Sequence, residues 1–427
     1  MLAAQLPTSC HVRKRRDSTS DVWQNGVMIL DHDACYRAIS ARDARFDGRL
    51  YTGVKTTGIY CRPICPARTP KRENVVFFAT AAAAQEAGFR SCLRCRPECS
   101  PDLAIWRGTS NTVTRGLALI ADGALDGEHA GVEQLAMRLG IGERQLRRLF
   151  QQHIGASPIT VAQTRRVLFA KQLLAETPMP LAQVALASGF GSVRRFNTVF
   201  QKLYGKPPGA FRHARTQSAA GEDMTSTITL TLPFAPPYDW GGMLASLAAR
   251  CAGGEIVDHD GWRRDIQLDG ATGTIQVHLA RQQPNALQAI IRFPIVTALP
   301  GIVQRIRRVF DLAADPIVIG QQLSEDALLA PLVQRRPGLR IAGRWDEDAA
   351  SDASSTDGAA PYDAFDPASG RLRAAISRLT GTGMMSSQAL ARHAEHWRPW
   401  RAYAAAHLLA GAHDPLGEAG GPADVAA

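Results

Sequence analysis

The sequence predicts a multidomain chain: a small α+β domain, an all-α domain of two helix-turn-helix units, a second α+β domain and a short helical remnant. Three observations predict it. Two close cysteine pairs, Cys61-x3-Cys65 and Cys92-x2-Cys95, lie among short strand-like runs. Two similar blocks then place apolar residues three or four apart, the period of amphipathic helices. Beyond a polar stretch the pattern alternates as in strands before it becomes helical again. At 427 residues the chain exceeds one ordinary core, and 45% hydrophobic residues suffice for several.

Residues 1–28 read as a disordered leader. Its Arg13–Arg16 run has no apolar core behind it, so it is not a secretory signal. Residues 29–105 form the cysteine domain, with strands at Leu50–Lys55 and Asn74–Phe78 and a helix at Ala81–Ala87. Residues 106–215 form the helical domain, and residues 216–226 a polar linker. Residues 227–343 begin with a strand (Thr227–Leu232) and a helix (Gly242–Cys251). Strands follow at Arg264–Leu268, Gly273–Leu279 and Ala286–Phe293, then helices from Gly301 to Val333. Residues 344–362, mostly acidic and small, read as a disordered linker. Residues 363–412 are the helical remnant, with helix around Leu372–Leu379 and Ser387–Leu409, and 413–427 a disordered tail.

A net charge of +10 points to an anionic partner, nucleic acid before membrane, because neutralising phosphates releases counterions. A basic protein with no nucleic-acid role is the alternative. No stretch approaches the ~20 apolar residues of a membrane span. The eight cysteines, with no export signal, suggest a reducing cytoplasm where thiols bind metal. Two pairs at this separation read as one tetrahedral zinc site of Cys61, Cys65, Cys92 and Cys95. Four thiolates around Zn²⁺ carry a formal charge of about −2, which falls to about −1 if one sulfur is alkylated. Spacing alone leaves open a structural staple or a nucleophile aimed at DNA.

In the helical domain, Val132–Ala136 opens a first helix pair, Gly140 turns it, and Glu143–Phe150 follows. The second copy runs Leu181–Ala185, Gly189-Phe190, then Ser192–Phe200, and a helix near Ile159–Leu174 joins the two. Between the apolar anchors stand residues suited to groove readout: Arg144, Gln145 and Arg148, then Arg194, Arg195 and Asn197. Ser192 is expected as the N-cap at the same DNA-facing helix end.

The cysteine domain resembles the N-terminal domain of the Ada-type adaptive-response regulators. The resemblance rests on Phe46–Arg49, Gly58–Pro63, Cys65–Arg68, Arg72–Val75 and Gly88–Cys92. It implies that Cys61 takes a methyl group irreversibly from a DNA methyl phosphotriester while Cys65, Cys92 and Cys95 hold zinc. It also implies that Thr57, Arg68 and Arg90 approach the DNA backbone. The tandem helix-turn-helix units, ending in Gly205–Arg212, resemble the AraC-type DNA-binding domain. Residues 227–343 resemble the N-terminal domain of AlkA-type DNA-3-methyladenine glycosylases, through Pro233–Trp240, Gly261-Trp262, Val303–Leu312 and Pro337–Arg340.

That family's catalytic aspartate would fall at Ser369 or Gly370, and its hairpin is missing. Asp366 is out of register, and Leu379–Gly383 imitates the hairpin on the wrong side. Glycosylase activity is therefore expected to be absent. If the remnant folds, Trp397, Trp400 and Tyr403 should pack on the preceding domain. The Pro-Cys-His-Arg motif of guanine repair does not occur; Cys251 reads as a buried helix residue and Cys99 as a spare thiol.

The resemblances together imply a methylation-sensing transcriptional activator that also repairs methyl phosphotriesters. Its partners would be double-stranded DNA, both promoter and methylated backbone, and RNA polymerase; it would act as a monomer on DNA near the nucleoid. The alternatives are a base-excision glycosylase and a DNA-binding protein with a purely structural zinc.

Overall fold

The computed structural model describes residues 31–103, 111–126, 131–212, 227–250, 254–346 and 361–413, and the backbone of two short strands. Those strands, Trp23–Gln24 (β1) and Val27–Met28 (β2), pair antiparallel. The rest of the expected leader, the expected linker 216–226, Cys251 and most of the expected tail lie outside the described residues.

In the cysteine domain, Asp31 caps α1 (His32–Ser40) by accepting from Ala34 N at 3.0 Å. Strands Tyr51–Val54 (β3), Ile59–Cys61 (β4), Val75–Phe78 (β5) and Arg90–Ser91 (β6) make a sheet in the order β5-β3-β4-β6. Thr80 caps α2 (Ala81–Glu86), which packs on the sheet. β4 and β6 are too short to show a sequence period.

The helical part holds α3 (Asn111–Ala121), α4 (Val132–Arg138), α5 (Glu143–Ile154), α6 (Pro158–Glu176), α7 (Leu181–Ala187) and α8 (Val193–Tyr204). Gly140 (φ +69°) and Gly189 (φ +79°) turn each pair through the left-handed region, where a Cβ is strained. Leu146, Phe150 and Ile154 anchor α5, and Phe196 and Phe200 anchor α8; all five are buried. The apolar spacing thus seats each helix and leaves the residues between facing outward.

The third part is an antiparallel sheet in the order β7-β11-β10-β9-β8: Thr227–Pro233 (β7), Glu255–Val257 (β8), Gly261–Leu268 (β9), Ala271–Leu279 (β10) and Ala286–Arg292 (β11). Ile228, Leu230 and Leu232 alternate inward. They share one continuous core with Phe196, Phe200 and α9 (Trp240–Ala248), so the second helix-turn-helix unit and this sheet are packed together. The β7 edge meets α6 side chains: Glu176 Oε2 accepts from Thr231 N at 2.9 Å, and Gln172 Nε2 donates to Thr231 O at 2.8 Å. That occupies backbone groups which an open edge would leave unpaired. Helices α10 (Leu299–Val309), α11 (Pro316–Leu323) and α12 (Ala330–Arg335) follow.

The remnant folds as α13 (Gly370–Thr380), α14 (Ser387–Ala394) and α15 (Arg401–His413). Its core combines Leu372, Ile376, Leu390 and Leu408 with Ile319, Leu323 and Leu332. Trp397 Nε1 donates to Asp326 at 2.7 Å, Trp400 Nε1 to Gln322 at 3.0 Å, and Tyr403 Oη to Asp311 at 2.6 Å. The three aromatic residues dock on the preceding domain, as the pattern implied.

Three expectations are corrected, and one strand was missed. The helix expected over Ser387–Leu409 is broken at Arg398–Trp400, because Pro399 has no N–H to continue it. The helix expected over Gly242–Cys251 is Trp240–Ala248 within the described residues, capped by Asp239 accepting from Gly242 N at 2.8 Å. β8, three residues long, is too short to show a sequence period and was not anticipated. The linker expected from residue 344 is ordered at its start: Trp345 is buried against Trp262, and Asp346 pairs with Arg264 at 2.9 Å. Acidic composition after Trp345 masked the burial of that one large side chain. At the other end Tyr362 is buried against Trp400.

Candidate metal centre and nucleic-acid interface

The β3–β4 hairpin pairs Thr52 with Cys61, which places Cys61 at the end of β4. β6 runs parallel to β4, and Tyr60 O accepts from Cys92 N at 2.9 Å. This pairing brings Cys92 beside Cys61. A tight turn, with Cys65 N donating to Arg62 O at 3.2 Å, folds Cys65 back. The four ligand sulfurs of Cys61, Cys65, Cys92 and Cys95 lie within 4.8 Å of one another. Tetrahedral zinc with Zn–S near 2.3 Å spaces its sulfurs about 3.8 Å apart, so a soft all-thiolate set of this size fits zinc. The site takes one zinc ion.

The sulfurs are not equivalent. Arg62 N donates to Cys95 Sγ at 3.3 Å, Arg94 N to Cys92 Sγ at 3.4 Å, and the Ala67 backbone to Cys65. Among the described residues no backbone N–H donates to Cys61. Such bonds draw electron density from sulfur, so Cys61 keeps the most. Cys61 and Cys65 are half-buried, whereas Cys92 and Cys95 are buried. The thiols titrate as one cluster. Cys61 is pushed up by its hydrogen bonds to Cys65, Cys92 and Cys95, while the bond from Cys61 draws Cys65 down to about 7. Cys99 and Cys35 stand apart: burial pushes their thiols up to about 11 and about 12, which leaves both inert.

Asp47, Arg62 and Ser100 support the site. Asp47 accepts from Arg62 Nε at 2.8 Å, from Arg62 Nη2 and from Ser100 Oγ at 3.0 Å. Arg62 Nη1 also donates to Cys95 O at 3.1 Å. Sequence reasoning assigned these three no role. Arg62 follows Cys61 directly, but its partner is visible only once the chain folds.

Of the expected backbone contacts, Thr57 and Arg68 are exposed and Arg90 is half-buried. Arg144, Gln145 and Arg148 on α5 and Arg194, Arg195 and Asn197 on α8 are all exposed. Ser192 caps α8, accepting from Arg195 N at 3.2 Å. Buried polar contacts tie the cysteine domain to the helices: Lys171 Nζ donates to Glu98 at 2.8 Å and to Ser91 at 3.0 Å, and Thr80 Oγ1 to Ile154 O at 3.0 Å. Arg49 forms a buried ion pair with Asp315 of the third part. In the remnant, Ser369 caps α13, accepting from Leu372 N at 3.4 Å.

Residues 34–98 match the family described as the metal binding domain of Ada, residues 135–214 a helix-turn-helix domain, and residues 229–346 the AlkA N-terminal domain. The chain joins an Ada-type metal-binding domain, a helix-turn-helix domain and an AlkA-type N-terminal domain. It is 40% identical over 321 residues to a probable bifunctional transcriptional activator/DNA repair enzyme AlkA of Mycobacterium tuberculosis. That match covers 74% of this chain but 63% of the relative, so the chain spans less than two thirds of the relative's length. Bacillus subtilis AdaA, a bifunctional transcriptional activator/DNA repair enzyme, is 28% identical over 209 residues, covering 48% of this chain and 94% of AdaA. The solved DNA methyl phosphotriester repair domain of E. coli Ada is 48% identical, covers 17% of this chain and 77% of that domain, and superposes with a TM-score of 0.16. The matched residues 34–98 include all four cysteines of the site.

Proposed function

We propose that the protein repairs methyl phosphotriesters in double-stranded DNA at Cys61 and, once methylated, activates transcription through its helix-turn-helix domain. The observation that carries this reading is the asymmetry of the sulfur cluster. Cys61 is half-buried and lacks the N–H bonds that temper Cys65, Cys92 and Cys95. Zinc, when bound, keeps the thiolates deprotonated and nucleophilic at neutral pH. The Cys61 sulfur attacks the methyl carbon in line with the carbon–oxygen bond. The S–C bond forms as the C–O bond breaks, and the electron pair leaves with the phosphate oxygen, restoring the diester anion. Cys61 becomes a thioether and is spent. Cys65, Cys92 and Cys95 remain unmodified.

The transfer removes one negative charge from a surface that meets DNA. One charge ~8 Å from a phosphate, at an effective permittivity near 40, is worth roughly 1 kcal/mol. Methylation therefore favours promoter binding. Thr57, Arg68 and Arg90 approach the backbone, while Arg144, Gln145, Arg148, Ser192, Arg194, Arg195 and Asn197 line the two recognition helices. The protein acts as a monomer on DNA, in the cytoplasm near the nucleoid, with RNA polymerase as its partner. Among the described residues no helix is long and apolar enough to cross a membrane.

No glycosylase chemistry is assigned to the remnant, since the family's acid is expected at Ser369 or Gly370, neither of which is a carboxylate, and Ser369 caps α13. Peptide mass spectrometry after incubation with methyl-phosphotriester DNA tests the reading. One added methyl on the Cys61 peptide, absent from Cys61→Ala, is expected. A folded, zinc-loaded protein that gains none refutes it.

A further inference from the structure

A cavity of about 690 Å³ lies where the three parts meet. Its walls come from the Ada-type domain around Asp102, from α3 and α6, and from α10. Two arginines line it from opposite parts, Arg165 on α6 and Arg307 on α10. Their sequence neighbours are paired: Arg166 with Asp126 at 2.7 Å and Arg308 with Asp122 at 3.7 Å. Arg165 and Arg307 have no ion pair or hydrogen bond among the described residues. Asp102 acts through space on both, and Asp126 and Asp122 on Arg165 as well, yet none of them bonds either guanidinium, and the two guanidiniums also feel each other. Burial lowers the pKa of both below the usual arginine range. The Thr164 hydroxyl, next to Arg165 on α6, is buried without a partner on the same wall. Both arginines are half-buried and face whatever fills the cavity, whereas the Thr164 hydroxyl is buried without a partner, which a folded protein rarely leaves.

We infer that this cavity is a binding site for a small organic anion, a phosphate-bearing molecule with an apolar or aromatic body, held between Arg165 and Arg307. The planar guanidinium forks suit phosphate oxygens. Leu117, Val161, Phe169 and Val303 supply apolar wall for the body. The volume lies in the range of small-ligand sites, roughly 300–1,000 Å³. A ligand held between Arg165 and Arg307 bridges α6 and α10.

The test is isothermal titration of full-length, zinc-loaded protein with adenosine monophosphate, inorganic phosphate and adenosine. Saturable one-site binding of the monophosphate is expected, with phosphate weaker and adenosine silent. Arg165→Gln and Arg307→Gln should each weaken the monophosphate by about tenfold or more, while Arg378→Gln on exposed α13 leaves it unchanged. Thermal melts run alongside: losing an unpaired charge on the cavity wall should leave the midpoint unchanged or raise it. No binding of monophosphate or phosphate at millimolar concentration overturns the inference. So does binding that survives both substitutions, or that is weakened equally by Arg378→Gln. If the glutamine variants do not fold, Arg307→Lys, which keeps the charge but loses the fork, should retain binding at reduced affinity, and full retention or complete loss overturns it.

Discussion

Asp47→Ala isolates what holds the metal loop in place. The Arg62 and Asp47 side chains are only 12% and 9% exposed, so the pair belongs to the buried regime. Removing one partner of a buried pair strands the other charge, at a cost of about 3 kcal/mol or more. Asp47 also accepts from Ser100, a hydrogen bond whose loss adds about 1 kcal/mol. Arg62 makes two contacts to Cys95, through its backbone N–H and its guanidinium, so a displaced Arg62 loosens that ligand. The single variant is therefore expected to unfold at markedly lower denaturant, by about 3–4 kcal/mol, and to release zinc faster to a chromophoric chelator. In Arg62→Met/Asp47→Ala no charge is stranded, and the cost should fall to about 1–2 kcal/mol. Denaturant titrations of the two variants beside wild type measure this. A double variant as unstable as Asp47→Ala alone would refute the reasoning, since the loss would then come from packing.

Two further outcomes are expected elsewhere in the molecule. His407 is buried in α15, and burial, assisted by Arg336, lowers its pKa to about 4. Between its ordinary value of about 6.5 and that depressed value the unfolded chain binds the proton and the folded chain does not, so this stability is present above pH 6.5 and is lost as pH falls toward 4. From pH 7 to pH 5 wild type should lose about 2 kcal/mol more than His407→Leu, measured by urea midpoints; equal losses would place the acid sensitivity elsewhere. Arg148 and Arg194 are exposed on α5 and α8. Replacing either with alanine should leave stability within about 0.5 kcal/mol and weaken DNA binding, with the salt dependence shallower by about one ion for a phosphate contact or relaxed sequence preference for a base contact. Unchanged affinity and specificity would remove that helix from the interface.

Much of the local architecture was legible in the chain. The period of Leu146–Phe150 and of Phe196–Phe200, the turn glycines and the cap at Ser192 are interactions between residues a few positions apart, so local pattern reveals them. The paired cysteines announced a metal cluster because a tetrahedral ion needs four donors and close pairs supply two each. The clamp on the metal loop was not legible, since Asp47, Arg62 and Ser100 are ordinary residues whose meeting depends on the strand pairing. Nor did acidic composition after Trp345 reveal that Trp345 itself is buried.

By itself, then, the sequence determined most of the helices, the longer strands and the identity of the four sulfur donors, all set by short-range period and side-chain chemistry. Tertiary structure alone decided which sulfur is left without an N–H bond, that Lys171 meets Glu98 and Arg49 meets Asp315, and that Arg165 and Arg307 share one cavity. The physical reason is distance along the chain: burial and charge compensation act between groups brought together from far apart, and local pattern carries no record of which distant group will arrive.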